Sequence, residues 1–188
     1  EMAVAKDGKH LYVVTEPVAP ATLRELHVLD TTQVGMPEFN TAPLELPDSS
    51  GSDVSLTVAP DGRLLALVSS TGDVLRWPAD LDTNPTPAAP EVVKNLGAGL
   101  SGLSLSGDGK LAFALGPGNQ IQSLDLTAAA VNSITVLPAG TKPSSMALVS
   151  STAPDMLAVT DHTNLFLHLI ALSPSAALRQ WCQCLLPW

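Results

Sequence analysis

The chain is poor in cysteine, in aromatic residues and in charged residues, and each shortage limits what the protein can be. Its two cysteines, Cys182 and Cys184, both lie in the last seven of 188 residues. No disulfide can therefore link the body of the chain, and cysteine usage does not indicate a compartment. Aromatic residues make up 4% and charged residues 14% of the sequence, against 45% hydrophobic residues. This balance predicts a packed chain rather than a disordered one.

Positively charged residues are also few. Nine Lys and Arg residues face eighteen Asp and Glu residues, which gives a formal net charge of −9. With no basic run and few aromatics to stack on bases, the sequence argues against a nucleic acid or an anionic membrane surface as partner. No apolar stretch approaches the length that crosses a bilayer, so no transmembrane segment is predicted. The first residue is Glu1 rather than Met, which leaves open a removed signal peptide or a truncated longer chain.

A short turn motif recurs between apolar runs. Lys6-Asp7-Gly8-Lys9 returns as Pro60-Asp61-Gly62-Arg63 and as Gly107-Asp108-Gly109-Lys110, at spacings of 54 and 47 residues, and a degraded copy ends at Asp155 another 47 residues on. Asp-Gly between apolar runs is a strong hairpin signal, because a type I′ turn needs positive φ at both central positions. A repeat of this period, made of strands and turns, predicts the blades of a β-propeller.

Each unit continues with two further strands. In the second unit we predict strands at 56–59, 64–68, 74–77 and 91–94. The fold class is therefore all-β, with blades at residues 1–50, 51–97, 98–141 and 142–172. The fourth blade shows no outer strand, and residues 173–188 read as a tail that does not share the repeat.

The segments 3–14, 57–68 and 104–115 carry a resemblance to a known superfamily. They resemble the YVTN/WD40-like repeat β-propellers, whose repeats read roughly V-x-x-S-P-D-G-K-x-x-Y-V. The Gly-His and Trp-Asp dipeptides of WD40 repeats are absent, and Trp77 is followed by Pro78. The resemblance is therefore closest to the bacterial YVTN-like or lactonase-like branch, and it implies about four four-stranded antiparallel blades.

Whether the array closes on itself is not set by the repeat. The chain begins at an inner strand, and an unpaired last blade would leave an edge open to self-association. We expect part of a larger ring, about seven or eight blades. A closed four-bladed ring and an oligomerised partial ring are the alternatives.

One acidic loop has nearly the spacing of a calcium site. Asp80, Asp82, Asn84 and Glu91 approach positions one, three, five and twelve of such a loop. Pro85, however, occupies the sixth position, where the turn needs glycine. We interpret the loop as a solvated connector between the third and fourth strands.

We also interpret the other polar motifs as structural rather than catalytic or metal-binding. Asp161, His162 and His168 raise the question of a nucleophilic triad, but no Gly-x-Ser-x-Gly elbow is present, and Asp161 sits in a turn. The four histidines (His10, His27, His162 and His168) are too scattered to predict a metal site, and His27 and His168 are expected at the surface or in cross-strand pairs. The glycine-rich segments 97–99 and 116–119 open no helix and are interpreted as turns rather than phosphate cradles.

The tail has an unusual composition. Cys182-Gln183-Cys184 lacks the two-residue gap of redox and zinc pairs, and Trp181 and Trp188 flank it. A docking peptide and an ordinary terminus both remain open. The sequence thus predicts no catalytic, cofactor-binding or metal-binding residue.

Two functions of different classes follow from the fold. The first is a non-enzymatic scaffold whose loops, the longest at 15–25, 31–41, 47–53 and 78–90, bind a protein or a glycan outside the cytoplasm. Resemblance to the bacterial branch implies a periplasmic, secreted or cell-surface protein. The alternative is a lactonase-like hydrolase with a site in the central channel. The inner strands offer no Glu, Arg or His towards that channel, which favours the scaffold.

Overall fold

The computed structural model describes residues 1–18, 21–149, 156–161, 163–172 and 178–185. These residues contain strands and turns but no helix, so no element that could span a bilayer as a helix occurs among them. In chain order, the strands are β1 Met2–Val4, β2 His10–Thr15, β3 Glu25–Asp30, β4 Leu44–Glu45, β5 Val54–Val58, β6 Leu64–Val68, β7 Asp73–Arg76, β8 Glu91–Asn95, β9 Ser101–Leu105, β10 Leu111–Leu115, β11 Gln120–Asp125, β12 Ala130–Val136, β13 Pro143–Val149, β14 Met156–Asp161, β15 Phe166–Leu172 and β16 Leu178–Leu185.

The strands form four antiparallel sheets, each built from four strands that follow one another along the chain. Their orders are β1-β2-β3-β4, β5-β6-β7-β8, β9-β10-β11-β12 and β13-β14-β15-β16. This meander of four strands is the unit of a propeller blade, and the predicted all-β fold is confirmed. We call the four sheets blade one to blade four.

The chain divides into two compact units. The first unit, Glu1–Ser101, contains blades one and two. In β2 and β3 buried and half-buried residues alternate, so each strand turns one face to the core. By contrast, every residue of β6 is buried, as expected of a strand covered on both faces. The core of this unit takes side chains from both blades: Tyr12, Val14, Leu26, Val28, Leu56, Leu64, Ala66, Leu75, Trp77 and Leu81.

The second unit, Gly102–Trp188, has a separate core. Phe113, Leu115, Ile121 and Leu137 of blade three pack with Leu157, Val159 and Ile170 of blade four. The aromatic and branched residues come from alternate positions of the strands, so the period-two pattern read from the sequence fixes which face is buried.

The tail changes the interpretation of the fourth blade. We expected this blade to lack its outer strand, and that expectation is wrong: β16 pairs with β15 from Phe166↔Leu185 to Leu172↔Leu178. Because strand pairing is made by backbone groups, a segment outside the repeat can complete a sheet without matching the repeat's side chains. The edge of β15 that we expected to be open to self-association is therefore occupied by β16.

The outer strand of blade one is short. Only Leu44 and Glu45 form β4, and they pair with Leu26 and Glu25. Pro43 directly precedes them, and proline has no N–H to donate to the ladder, so pairing cannot extend through it.

Candidate functional site

Four segments of the first unit meet at one end of blades one and two. They are residues 6–9, 31–43, 59–63 and 77–90, which we call the loop surface. The Thr41 N–H donates to the Pro85 carbonyl at 2.9 Å. The rings of His10 and Phe39 lie edge to face with centroids 4.7 Å apart. The loops are thus connected to one another and to the strands rather than projecting independently.

At the first turn, the Asp7 carboxylate organises the backbone and a histidine ring. Its Oδ1 accepts the N–H groups of Lys9 at 2.8 Å and His10 at 3.2 Å, and its Oδ2 lies 2.8 Å from His10 Nδ1. Burial alone would raise the pKa of Asp7, but these hydrogen bonds and the His10 charge outweigh it, so the pKa is lowered. Asp7 therefore remains ionised. When Nδ1 carries the ring proton, the His10 Nε2 lone pair is left to bind another group.

The 77–90 loop brings a second carboxylate to this turn. Leu81 is fully buried in the core and anchors the loop, while its neighbour Asp82 is half-buried. One ligand atom from each of Asp7, His10 and Asp82 lies within 4.8 Å of the others. Two carboxylates and an imidazole are donors that can hold a divalent metal ion.

A buried phenol lies beside the same carboxylates. Tyr12 shares a face of β2 with His10 and is completely buried. Its hydroxyl has no hydrogen-bond partner among the described residues. Burial, together with the negative charges of Asp82 and Asp7, raises the pKa of Tyr12, so the phenol keeps its proton.

This group was not predicted from the sequence because its members come from separate turns and strands. One signal was present: the residue three positions after the turn aspartate is leucine in the other two clear copies, Leu64 and Leu111, but His10 in the first. A polar residue at a position that is apolar in the other repeats indicates a role other than packing of the blade.

A cleft of about 300 Å³ lies in the loop surface beside blade two. It is lined by Arg63, Arg76, Trp77, Pro78, Ala88, Ala89 and Glu91. Arg76 pairs with Glu91 at 2.5 Å, and Arg63 pairs with Asp61 at 3.0 Å. The Trp77 indole N–H is buried and without a partner among the described residues. The cleft thus combines apolar walls with guanidinium groups, a composition typical of protein-recognition surfaces.

A three-residue relay lies on the other face of blade one. The hydroxyl of Thr15 is 3.1 Å from His27 Nε2, and His27 Nδ1 is 2.9 Å from Glu38 Oε1. The order hydroxyl, imidazole, carboxylate is that of a nucleophile, a base and its orienting acid. The three residues lie on two strands and a loop, so the pairing of β2 with β3 was needed to find them.

The residues of the proposed calcium spacing serve different roles. Asp80 Oδ2 accepts a hydrogen bond from Asn84 Nδ2 at 3.3 Å, whereas Glu91 is engaged by Arg76. Asp82 lies near His10 instead. The 80–91 segment is therefore a connector whose carboxylates belong to separate interactions.

The candidate triad residues in blade four are structural or outside the described residues. Asp161 is buried and accepts the N–H groups of Thr163 at 3.0 Å and Asn164 at 3.2 Å, as a turn residue does. His162 lies outside the described residues. His168 is fully buried in β15 and lies opposite Val159 and Gln183, so of the two expected placements the cross-strand one is found and the surface one is not.

The glycine segments lie in turns. Gly97 and Gly118 adopt positive φ, 89° and 74°, next to strand ends. Cys182 and Cys184 both lie on β16, where they pair across the sheet with Leu169 and Leu167. Trp188 lies outside the described residues.

Comparison with known proteins identifies the fold and not a family. No family model matches the chain, and no curated protein matches it. Solved structures do match. The periplasmic gluconolactonase PpgL of Pseudomonas aeruginosa is 18% identical, with a TM-score of 0.68, over 98% of this chain and 56% of that one. A streptogramin B lyase is 14% identical, with a TM-score of 0.65, over 99% and 54%. KlAtg21, in complex with the coiled-coil of AgAtg16, is 13% identical, with a TM-score of 0.68, over 100% and 58%.

These structures include two enzymes and a protein solved in a complex with a coiled-coil. The chain spans about half the length of each of the three. At these identities the likeness shows the propeller fold, which is shared by enzymes and by binding proteins.

Proposed function

We propose that the chain is a non-enzymatic propeller module, part of a ring of about seven or eight blades, whose loop surface binds a protein partner. The observation that carries the proposal is the cleft lined by Arg63, Arg76 and Trp77 in the loop surface. Arginine is enriched among residues that dominate binding energy, and the apolar wall formed by Pro78, Ala88 and Ala89 can accept side chains of a partner.

The rigidity of the loops supports the same function. Thr41 is hydrogen-bonded to Pro85, and Leu81 fixes the 77–90 loop in the core. A surface that is already ordered loses less conformational entropy on binding, which favours affinity. The net charge of −9 favours a partner with a basic surface.

A site-specific cross-link tests the proposal. A photo-reactive amino acid replaces the exposed Ala88 in the cleft, and a matched control replaces the exposed Val131 on blade three. In extracts of the source organism, we expect a discrete protein adduct from position 88 that R76A abolishes. Identical adducts from both positions, or an adduct that R76A leaves unchanged, would refute the use of this cleft.

The alternative is a lactonase-like hydrolase, and the Thr15, His27 and Glu38 relay is the observation that favours it. In such an enzyme His27 would take the Thr15 proton while Glu38 holds the ring. The test is hydrolysis of glucono-δ-lactone in a pH-stat by the wild type, H27Q and T15V. If the chain is a non-enzymatic scaffold, we expect the lactone to be hydrolysed no faster than in buffer alone. A rate that H27Q lowers about 100-fold or more would establish the hydrolase instead.

We further propose an extracytoplasmic location, by analogy with the periplasmic gluconolactonase. Fractionation of source cells with an antibody to this chain tests it, and recovery in the cytoplasmic fraction alone would contradict it.

A further inference from the structure

We propose that Asp7, His10 and Asp82 bind a divalent transition-metal ion, Zn²⁺ or Mn²⁺, and that the Tyr12 hydroxyl hydrogen-bonds a water on that ion. This goes beyond binding of a protein partner and does not depend on it. The site joins the first turn of blade one to the 77–90 loop of blade two, both within the first unit.

The three donors are already gathered. One ligand atom from each lies within 4.8 Å of the others. Ligands around one zinc ion lie about 3 to 3.5 Å apart, given bonds of about 2.0 to 2.2 Å. In the metal-bound state Asp7 Oδ2 and His10 Nδ1, which lie 2.8 Å apart, would both face the ion with the ring proton moved to Nε2, and a small rotation of the half-buried Asp82 would close the remaining distance.

Among the described residues, no Lys or Arg forms an ion pair with Asp7 or Asp82, although Lys6 and Lys9 flank Asp7 in the sequence. Asp82 makes no hydrogen bond or ion pair with another described residue. Asp7 is held ionised by the Lys9 and His10 amides. Two carboxylates beside one imidazole and a buried phenol therefore present excess negative charge, which a divalent cation would neutralise.

Tyr12 provides independent support. Its hydroxyl is fully buried, lacks a partner among the described residues, and interacts electrostatically with both carboxylates. Leaving such a group unpaired costs about 1–3 kcal/mol. A metal-bound water in the space between the carboxylates would supply the missing hydrogen bond.

The equivalent turns of the other blades are arranged differently. Asp61 pairs with Arg63 at 3.0 Å, and Asp108 lies 3.6 Å from the Lys110 ammonium. Each of these acids forms an ion pair with the basic residue two positions later, whereas Asp7 forms none with Lys9 and is directed to the His10 imidazole instead. Asp61 is thus a matched control for Asp7.

The donor set selects the metal class. Imidazole suits zinc and carboxylates suit manganese, so a set of two carboxylates and one imidazole provides donors for both, whereas the hard calcium ion favours sites made only of oxygen. Three protein ligands leave a coordination position for water, as in open zinc sites. A bound ion would cross-link the two loops and hold the loop surface in one arrangement.

Manganese binding can be measured directly. Mn²⁺ is titrated into the whole chain, and the free ion is followed by electron paramagnetic resonance. Zn²⁺ and Ca²⁺ are then added as competitors. We expect saturable binding of one Mn²⁺ that Zn²⁺ displaces and Ca²⁺ does not. D82N and H10Q should each weaken binding about tenfold or more, and D61N should leave it unchanged.

The NMR signal of one residue, Tyr12, reports where the Mn²⁺ ion binds. Tyr12 is the only tyrosine of the chain, so selective ¹³C labelling gives one tyrosine signal. Bound Mn²⁺ should broaden that signal at substoichiometric concentration. No binding by the wild type, equal effects of D61N and D82N, or an unbroadened Tyr12 signal with Mn²⁺ bound would each overturn the proposal. H10Q provides the same information should D82N fail to fold.

Discussion

Replacing Gly72 by alanine should destabilise the first unit far more than an ordinary glycine substitution. Gly72 lies between β6 and β7 with φ +78°, and an added Cβ would fall 1.9 Å from the Gly97 carbonyl oxygen and 2.4 Å from its carbon. Both atoms belong to the backbone, so no side-chain rotation can relieve the clash. Gly72 must therefore move, or the chain at Gly97 must.

The cost can be estimated from two contributions. A non-glycine residue in the left-handed region costs about 1–2 kcal/mol. Displacing the backbone also endangers the hydrogen bond from the Leu96 N–H to the Gly72 carbonyl, 2.8 Å long, whose loss costs about 1–3 kcal/mol if the groups stay unpaired. G72A should thus lose about 2–5 kcal/mol. For a unit of this size, that lowers Tm by roughly 10–40 °C.

Urea and thermal unfolding followed by circular dichroism measure this loss. The control is G35A, because Gly35 has a similar φ of +85° but no atom within 4 Å of an added Cβ. G35A should therefore lose only the conformational cost of about 1–2 kcal/mol. If G72A is no more destabilising than G35A, the close approach of residues 72 and 97 is wrong.

Three further predictions concern the loop surface and the second unit. L81A should lower the free energy of unfolding by about 2–5 kcal/mol, because it empties a fully buried position. The control V34A, at an exposed position, should lower it by less than about 0.5 kcal/mol. Equal losses in urea titrations would contradict the anchoring of the loop by Leu81. Without added metal, Y12F should leave the free energy of unfolding unchanged or raise it by up to about 1–3 kcal/mol, since it removes an unpaired buried hydroxyl. A clear loss of stability in the same titrations would show that the hydroxyl is already paired. Burial tends to raise the pKa of Asp161, but the Asn164 side chain and nearby backbone N–H groups outweigh it, so the pKa lies below 3.8 in the folded state. The ionised Asp161 therefore stabilises the fold fully above that value, and this stabilisation is lost as the pH falls through the lowered pKa. The stability difference between wild type and D161N should shrink in acid. A difference that does not change with pH would show that the pKa of Asp161 is not lowered by folding.

The repeat and its turns were readable because they depend on local chemistry. Asp-Gly at residues 61 and 62 does mark a hairpin between apolar runs, but the expected type I′ turn is wrong. Gly62 adopts positive φ, +95°, whereas Asp61 does not, and the Gly62 N–H donates to the Ala59 carbonyl. Strand alternation likewise indicates the buried face of a strand such as β2 without knowledge of its neighbours.

The fourth blade shows where this reasoning fails. A strand of the repeat is recognised by its side chains, but β16 is held to β15 by backbone pairing that side-chain patterns do not report. Pro43 is the opposite case, because a residue without an N–H limits the short β4 in a way the sequence does show.

The polar groups also depend on tertiary contacts that the sequence does not report. The sequence by itself determined a blade array with Asp-Gly turns, since hairpin geometry and period-two burial act over a few residues. Only the tertiary structure brought Asp82 to the His10 turn, across 72 residues of chain, because that approach depends on how blade one packs on blade two. The Thr15 and His27 contact likewise depends on the pairing of β2 with β3, where a slip of one residue would send the two side chains to opposite faces.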